Sequence, residues 1–179
     1  MFGTSANNYS GMKTWGVDLI IMGRLDDKIE KRTLASATPV IRDPKTKRPI
    51  FGIVNINANV DYSKINSEHA FQVTILHEFT HVLGFHVYYF ENIYHNIFYK
   101  TDEEGVLRSY INSTKVLEVA RKYFNCSNID GVELEESGGE GTASSHWEAR
   151  ILLGDYMNGV AYIEEEVISE FTLALLEDT

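Results

Sequence analysis

HEFTHVLGFH, residues 77–86, sets three imidazoles and one carboxylate within ten positions of an otherwise apolar stretch. It closes a longer segment, SEHAFQVTILHEFTHVLG (67–84), in which Ser67 suits a helix N-cap and Gly84 a C-terminal stop. This is the clearest helix in the sequence. Residues four apart on a helix lie on one face about one turn apart, so His77 and His81 direct ring nitrogens at one point. Such a pair is a metal pincer. Zinc favours nitrogen ligands of this kind, and a catalytic zinc takes three protein ligands and keeps the fourth place for a water whose pKa it lowers to about 7. Glu78, beside the first ligand, is placed to take that water's proton.

The helix does not supply a third ligand. In the pattern HExxHxxGxxH the third His follows Gly84 by three residues, and here that position is Val87. His86 comes one residue early and on a continued helix would face away from His77. His95 would serve only through a long excursion. His69, about two turns before the pair, and His146, directly after a Gly/Ser-rich loop, remain as candidates.

The chain has 179 residues, 44% of them hydrophobic, which suits a single domain spanning 1–179, divided by a cleft. Sixteen basic against twenty-six acidic residues give a net charge of −10 without a basic stripe, which disfavours nucleic acid and anionic membrane as partners. No apolar run reaches transmembrane length, and MFGTSANNYSGMKTWG (1–16) lacks the pattern of a secretion signal. Cys126 stands alone, which leans towards a reducing, cytoplasmic setting or a fragment whose partner cysteine lies elsewhere. Sequons at Asn8, Asn112 and Asn125 pull the other way.

GVDLIIMG (16–23) reads as a buried strand, and PIFGIVNINANV (49–60) as a strand whose asparagines 55, 57 and 59 form a wet face. DPKTKRP (43–49) is a turn-rich connection. After the aromatic stretch 85–99, expected to be core or inter-lobe packing, a helix is expected near 112–125. GVELEESGGEGTASS (131–145) reads as a loop too polar to form core, and a last helix starts near Glu166. Glu164, Glu165 and Glu166 read as a solvated helix start rather than a calcium site. The class is α+β, with strands early and helices dominating the second half.

Beyond HEFTHVLGF, the sequence carries SHWEAR (145–150), then DYM (155–157), and it ends in SEFTLALLEDT (169–179). In that order these segments resemble the leishmanolysin-like zinc metalloproteases, in which a long insertion separates the HExxHxxG helix from a third His in a Ser-His-Trp context, followed by a Met-turn. GVDLIIM and RPIFGIVNIN also look like family segments, so the resemblance covers nearly the whole chain.

The resemblance implies a metzincin-like fold: a small twisted mixed sheet and active-site helix in an N-terminal lobe, about 1–84, and an insertion with a mainly helical C-terminal lobe, about 85–179. It implies His77, His81 and His146 as ligands of one catalytic Zn2+, Glu78 as general base and acid, and Met157 as the Met-turn residue. It further implies hydrolysis of peptide or protein substrates and an extracellular or cell-surface setting. The family's secretion signal, pro-segment and disulfides are not in these residues, so a piece of a longer protein is expected. An extended substrate is expected to add to a sheet edge at Gly52–Asn57, with Val160 and Ala161 lining an apolar pocket beyond the cut. Gly159 stands where some metzincins carry a tyrosine and is given no such role. The alternative is an inactive binding or structural module that keeps the metal for stability. The intact Glu78 argues against it.

Overall fold

The computed structural model describes residues 16–30, 33–62, 68–139, 141–160 and 166–179. The chain runs β1 (Ile20–Asp26), β2 (Ala35–Arg42), β3 (Pro49–Asn57), α1 (Glu68–Leu83), α2 (Val87–Tyr89) and a π-helical turn (Phe90–Tyr94). It continues through β4 (Ile97–Thr101), β5 (Leu107–Ile111), α3 (Thr114–Tyr123), β6 (Val132–Glu133) and α4 (Glu170–Glu177). The architecture is α+β, with two small sheets.

The first sheet has the order β1-β3-β2, with β1 parallel and β2 antiparallel to β3. β3 takes the centre because Phe51, Ile53 and Val54 are apolar on both faces and all three are buried. It is paired on one side from Ile20↔Phe51 to Asp26↔Asn57 and on the other from Ala35↔Ile56 to Arg42↔Pro49. The expectation that a substrate adds at Gly52–Asn57 is therefore corrected, since a strand bonded on both sides has no ladder groups left to offer. β1 and β2 are the outer strands instead, and α1 lies against β2 and β3. The β2 sequence, ASATPVIR, hides a strand behind Pro39. An edge tolerates that proline, and the register shifts between Pro39 and Arg42.

Two further expectations about these strands change. β1 begins at Ile20 and runs through Gly23 instead of ending there. Asn57, expected on a wet face, is fully buried. Its amide donates to the carbonyls of Glu30 and Thr33 at 2.9 and 2.7 Å, and its Oδ1 accepts the Asn59 N–H at 2.9 Å. A buried amide must be satisfied, so Asn57 clips the β1–β2 connection to the end of β3.

α1 stops where Gly84 adopts φ +117°, a left-handed conformation that costs glycine little. The Gly84 N–H donates to the His81 carbonyl and the Phe85 N–H to the Thr80 carbonyl, both at 3.1 Å, which is the Schellman pattern. Ser67 lies outside the described residues, as do Asn8, Ala161, Glu164 and Glu165. α4 begins at Glu170 rather than near Glu166, with Ser169 Oγ accepting from the Phe171 and Thr172 N–H groups. Val167 is already committed elsewhere, bridging the 154–156 turn through Val167 N–H to Gly154 O at 2.8 Å and Tyr156 N–H to Val167 O at 2.9 Å.

The second half contains a sheet that the sequence reading did not foresee, antiparallel β4-β5-β6. Within 131–145, expected to be too polar for core, Val132 and Leu134 are buried in the main apolar cluster. Glu133 between them is held by Arg108 at 3.0 Å and Arg150 at 2.7 Å. The period of two was present, but the surrounding glutamates masked it. The cluster also joins Phe85, Phe90, Ile111, Trp147, Met157 and Leu175, with Phe85 edge-on to Phe90 and Trp147 at 5.5 and 5.3 Å between ring centres. The aromatic stretch after Gly84 thus contributes core, as expected. No helix among the described residues is long and apolar enough to cross a membrane.

Leu134→Ala is expected to cost about 2–5 kcal/mol in chemical denaturation, because a fully buried side chain leaves a cavity. A change below 1 kcal/mol, about the level of a surface site, would place Leu134 outside the core.

Candidate metal centre

α1 presents His77 and His81 one turn apart, and the segment after residue 141 returns His146 to the same point. The three Nε2 atoms form a nearly equilateral triangle: 3.0 Å between His77 and His81, 3.1 Å between His77 and His146, and 3.1 Å between His81 and His146. No other group of three or more His, Cys, Asp or Glu among the described residues could share an ion. His69 and His95 are exposed and stand apart from it, and His86 caps α2 through its Nδ1, which accepts the Tyr88 N–H at 3.1 Å.

Each ring turns its other nitrogen to a main-chain carbonyl. His77 Nδ1 faces Tyr156 O at 2.6 Å, His81 Nδ1 faces Phe85 O at 2.6 Å, and His146 Nδ1 faces Thr142 O at 2.8 Å. A carbonyl can only accept, so the proton of each neutral ring is assigned to Nδ1 and the lone pair to Nε2. The Nε2 contacts are therefore not hydrogen bonds; three lone pairs converge with no proton between them.

Burial keeps the rings neutral. It lowers the His77 pKa, lowers that of His81 well below the usual value with help from the other two rings, and brings His146 down to about 3. Three nitrogens each 2.0–2.1 Å from one tetrahedral zinc would lie roughly 3.3 Å apart, so the observed spacing fits a single small cation to within a few tenths of an ångström. Neutral, converging, pre-oriented imidazoles are what such an ion requires.

Local structure explains each orientation. The Schellman turn at Gly84 carries the Phe85 carbonyl back towards His81. Tyr156 is fastened to α1 twice, by its carbonyl at His77 and by its hydroxyl, 2.7 Å from Thr80 Oγ1, which in turn donates to Leu76 O at 3.0 Å. Gly159 passes so close to Thr142 that a Cβ there would sit 2.7 Å from its Cγ2. Any side chain at 159 would push the residue that orients His146.

Glu78 is 6% exposed, and its Oε2 is buried with no hydrogen-bond partner among the described residues. Burial raises its pKa to about 8 in the metal-free chain. A buried carboxyl oxygen left without a partner among the described residues, on the residue that follows His77, is a costly feature for a structural site alone.

The Leishmanolysin family model matches residues 12–179. The chain belongs to the leishmanolysin family. Among its relatives, the leishmanolysin-like peptidase of Drosophila melanogaster is 48% identical over 65 residues, 36% of this chain and 9% of that protein. The leishmanolysin homolog of Crithidia fasciculata is 33% identical over 129 residues, covering 69% of this chain and 19% of its own. The ciliated left-right organizer metallopeptidase of Danio rerio is 33% identical over 146 residues, 74% of this chain and 23% of its own. The chain thus spans less than a quarter of the length of each of these relatives.

The helix pair was readable from spacing, and His146 stood among the open candidates until the family resemblance singled it out. The carbonyls of Phe85, Thr142 and Tyr156 left no mark in the sequence, because every residue carries one.

A carboxyl whose folded pKa is raised makes the folded state lose stability as pH climbs from its ordinary value near 4.5 towards 8. Metal-free Glu78→Gln escapes that loss. The stability difference between this variant and the wild type is expected to widen between pH 5 and pH 8 by up to about 4 kcal/mol. Denaturation in excess chelator measures it, and a gap that stays constant with pH would show that Glu78 is not held protonated.

Proposed function

We propose that this leishmanolysin-family chain is a zinc-dependent endopeptidase unit that cleaves peptide bonds in protein substrates. One observation carries the reading: three carbonyl-oriented histidine nitrogens converge within 3.1 Å of one another, and Glu78, next in the chain after His77, carries a buried carboxyl oxygen without a partner among the described residues. His77, His81 and His146 would hold the ion, and Met157, fully buried in the turn that also offers the Tyr156 carbonyl, packs in the Met-turn role.

When bound, zinc supplies Lewis acidity towards a carbonyl oxygen and acidifies a coordinated water. Glu78 does the proton work, accepting a proton from the attacking water and delivering it to the leaving amine as the C–N bond breaks. A carboxyl group can serve both halves of that exchange, as base when ionised and as acid once protonated. Of the two outer strands, β2, against which α1 lies, offers its backbone to an extended peptide, with Pro39 marking a position that cannot donate. Val160, 52% exposed after the Met157 turn, would border the residue beyond the cut and favour an apolar one.

The test compares metal content and casein hydrolysis of the wild type, Glu78→Gln and His146→Ala. Glu78→Gln is expected to keep zinc and lose at least 100-fold in turnover, in line with the about 10²–10⁴-fold usual for a general base. His146→Ala is expected to bind zinc far more weakly. Unchanged turnover in Glu78→Gln would remove the carboxylate from the mechanism, and unchanged zinc affinity in His146→Ala would break the three-ligand site.

A further inference from the structure

The two chain segments that complete the histidine cluster meet at a residue outside it. Thr172, on α4, has no exposed surface. Its Oγ1 accepts the Trp147 indole N–H at 2.8 Å and stands 3.0 and 2.9 Å from the two carboxylate oxygens of Asp155. An indole can only donate and an ionised carboxylate can only accept, so the single hydroxyl proton must point to Asp155. The chain of bonds has one direction, from Trp147 through Thr172 to Asp155.

Both ends of that chain adjoin ligand-bearing structure. Trp147 follows His146, and its main-chain N–H donates to the Met157 carbonyl at 3.0 Å. Asp155 Oδ1 accepts the Met157 N–H at 2.6 Å, closing the turn whose intervening residue, Tyr156, gives its carbonyl to His77. Asp155 Oδ2 also accepts the Ser169 N–H at 3.3 Å, at the N-cap of α4.

We infer that Thr172 is a positioning residue for the metal centre: its hydroxyl fixes the His146 arm and the carbonyl that orients His77 relative to each other. It touches neither ion nor substrate, and it acts through Trp147 and Asp155. A plain packing role would need only the shape of the side chain. A positioning role needs the hydroxyl, because valine at 172 would leave a buried indole N–H and a buried carboxylate without their shared partner.

This inference rests on the three-histidine metal reading, and the experiment separates the two. Wild type, Thr172→Val and Thr172→Ser are titrated with Zn2+ against a chromophoric chelator and with Co2+ while recording the visible d–d spectrum. Far-UV circular dichroism of the metal-free proteins is the fold control. Thr172→Val is expected to lose about 10–100-fold in metal affinity with an altered cobalt spectrum, the scale typical of groups that orient a ligand. Thr172→Ser is expected to stay within about threefold of wild type with an unchanged spectrum. Should Thr172→Val fail to fold, Trp147→Phe tests the same relay from its donor end, with a weaker loss of affinity expected. Wild-type affinity in Thr172→Val, or in the folded Trp147→Phe where that variant stands in, overturns the inference and leaves the metal site standing. An equal defect in Thr172→Ser overturns it too, because packing would then explain the effect. A wild type that binds neither ion overturns the metal reading and this inference with it.

Discussion

Three imidazole lone pairs brought within 3.1 Å of one another repel, and nothing in the rings themselves holds them there. The opposing force is the set of three Nδ1–H bonds to main-chain carbonyls, each 2.6–2.8 Å long. Each bond sets both the tautomer and the pitch of its ring, so the free nitrogens face inward before any ion arrives. Burial reinforces the arrangement by making protonation of the rings unfavourable. Much of what surrounds the cluster serves to deliver those three carbonyls.

Seen this way, features far apart in the sequence share a task. Gly84 ends α1 with the turn that offers Phe85 O to His81. The Thr80–Tyr156 pairing and the Asp155 carboxylate shape the turn that offers Tyr156 O to His77. The narrow passage at Gly159 leaves Thr142 free to face His146. The apolar cluster supplies the rigidity, because Phe85, Trp147, Tyr156 and Met157 belong both to it and to the segments carrying the three histidines or their carbonyls. Removing core at these positions would therefore disturb the centre as well as the fold.

The sequence disclosed what depends on side-chain period and hid what depends on backbone path. α1 was legible because its histidine spacing, its apolar content and Gly84 agree. α3 and the burial of the aromatic stretch were legible for similar reasons. β2 was hidden because Pro39 contradicts a strand unless that strand lies at an edge, which is a fact of topology. β6 was hidden because glutamates surround Val132 and Leu134, and the pairing of Glu133 with Arg108 and Arg150 is a tertiary event. Asn57 looked solvated because its true partners, the carbonyls of Glu30 and Thr33, come from a connection more than twenty residues earlier. His146 illustrates the limit: its type and the Gly/Ser-rich stretch before it marked it as a candidate, while its arrival beside α1 is set by the intervening fold.

The stretch between α1 and His146 leaves and returns at nearly the same place. Phe85 gives its carbonyl to the His81 ring, Thr142 gives its carbonyl to the His146 ring, and the Val87 N–H donates to Ser145 Oγ at 3.2 Å. Material added at the far end of this stretch, in the Asp102–Gly105 turn between β4 and β5, need not disturb that meeting point, and the entropy of a longer closed loop grows only logarithmically. The excursion is thus a place where the chain can lengthen while the three ring nitrogens at its root keep their spacing.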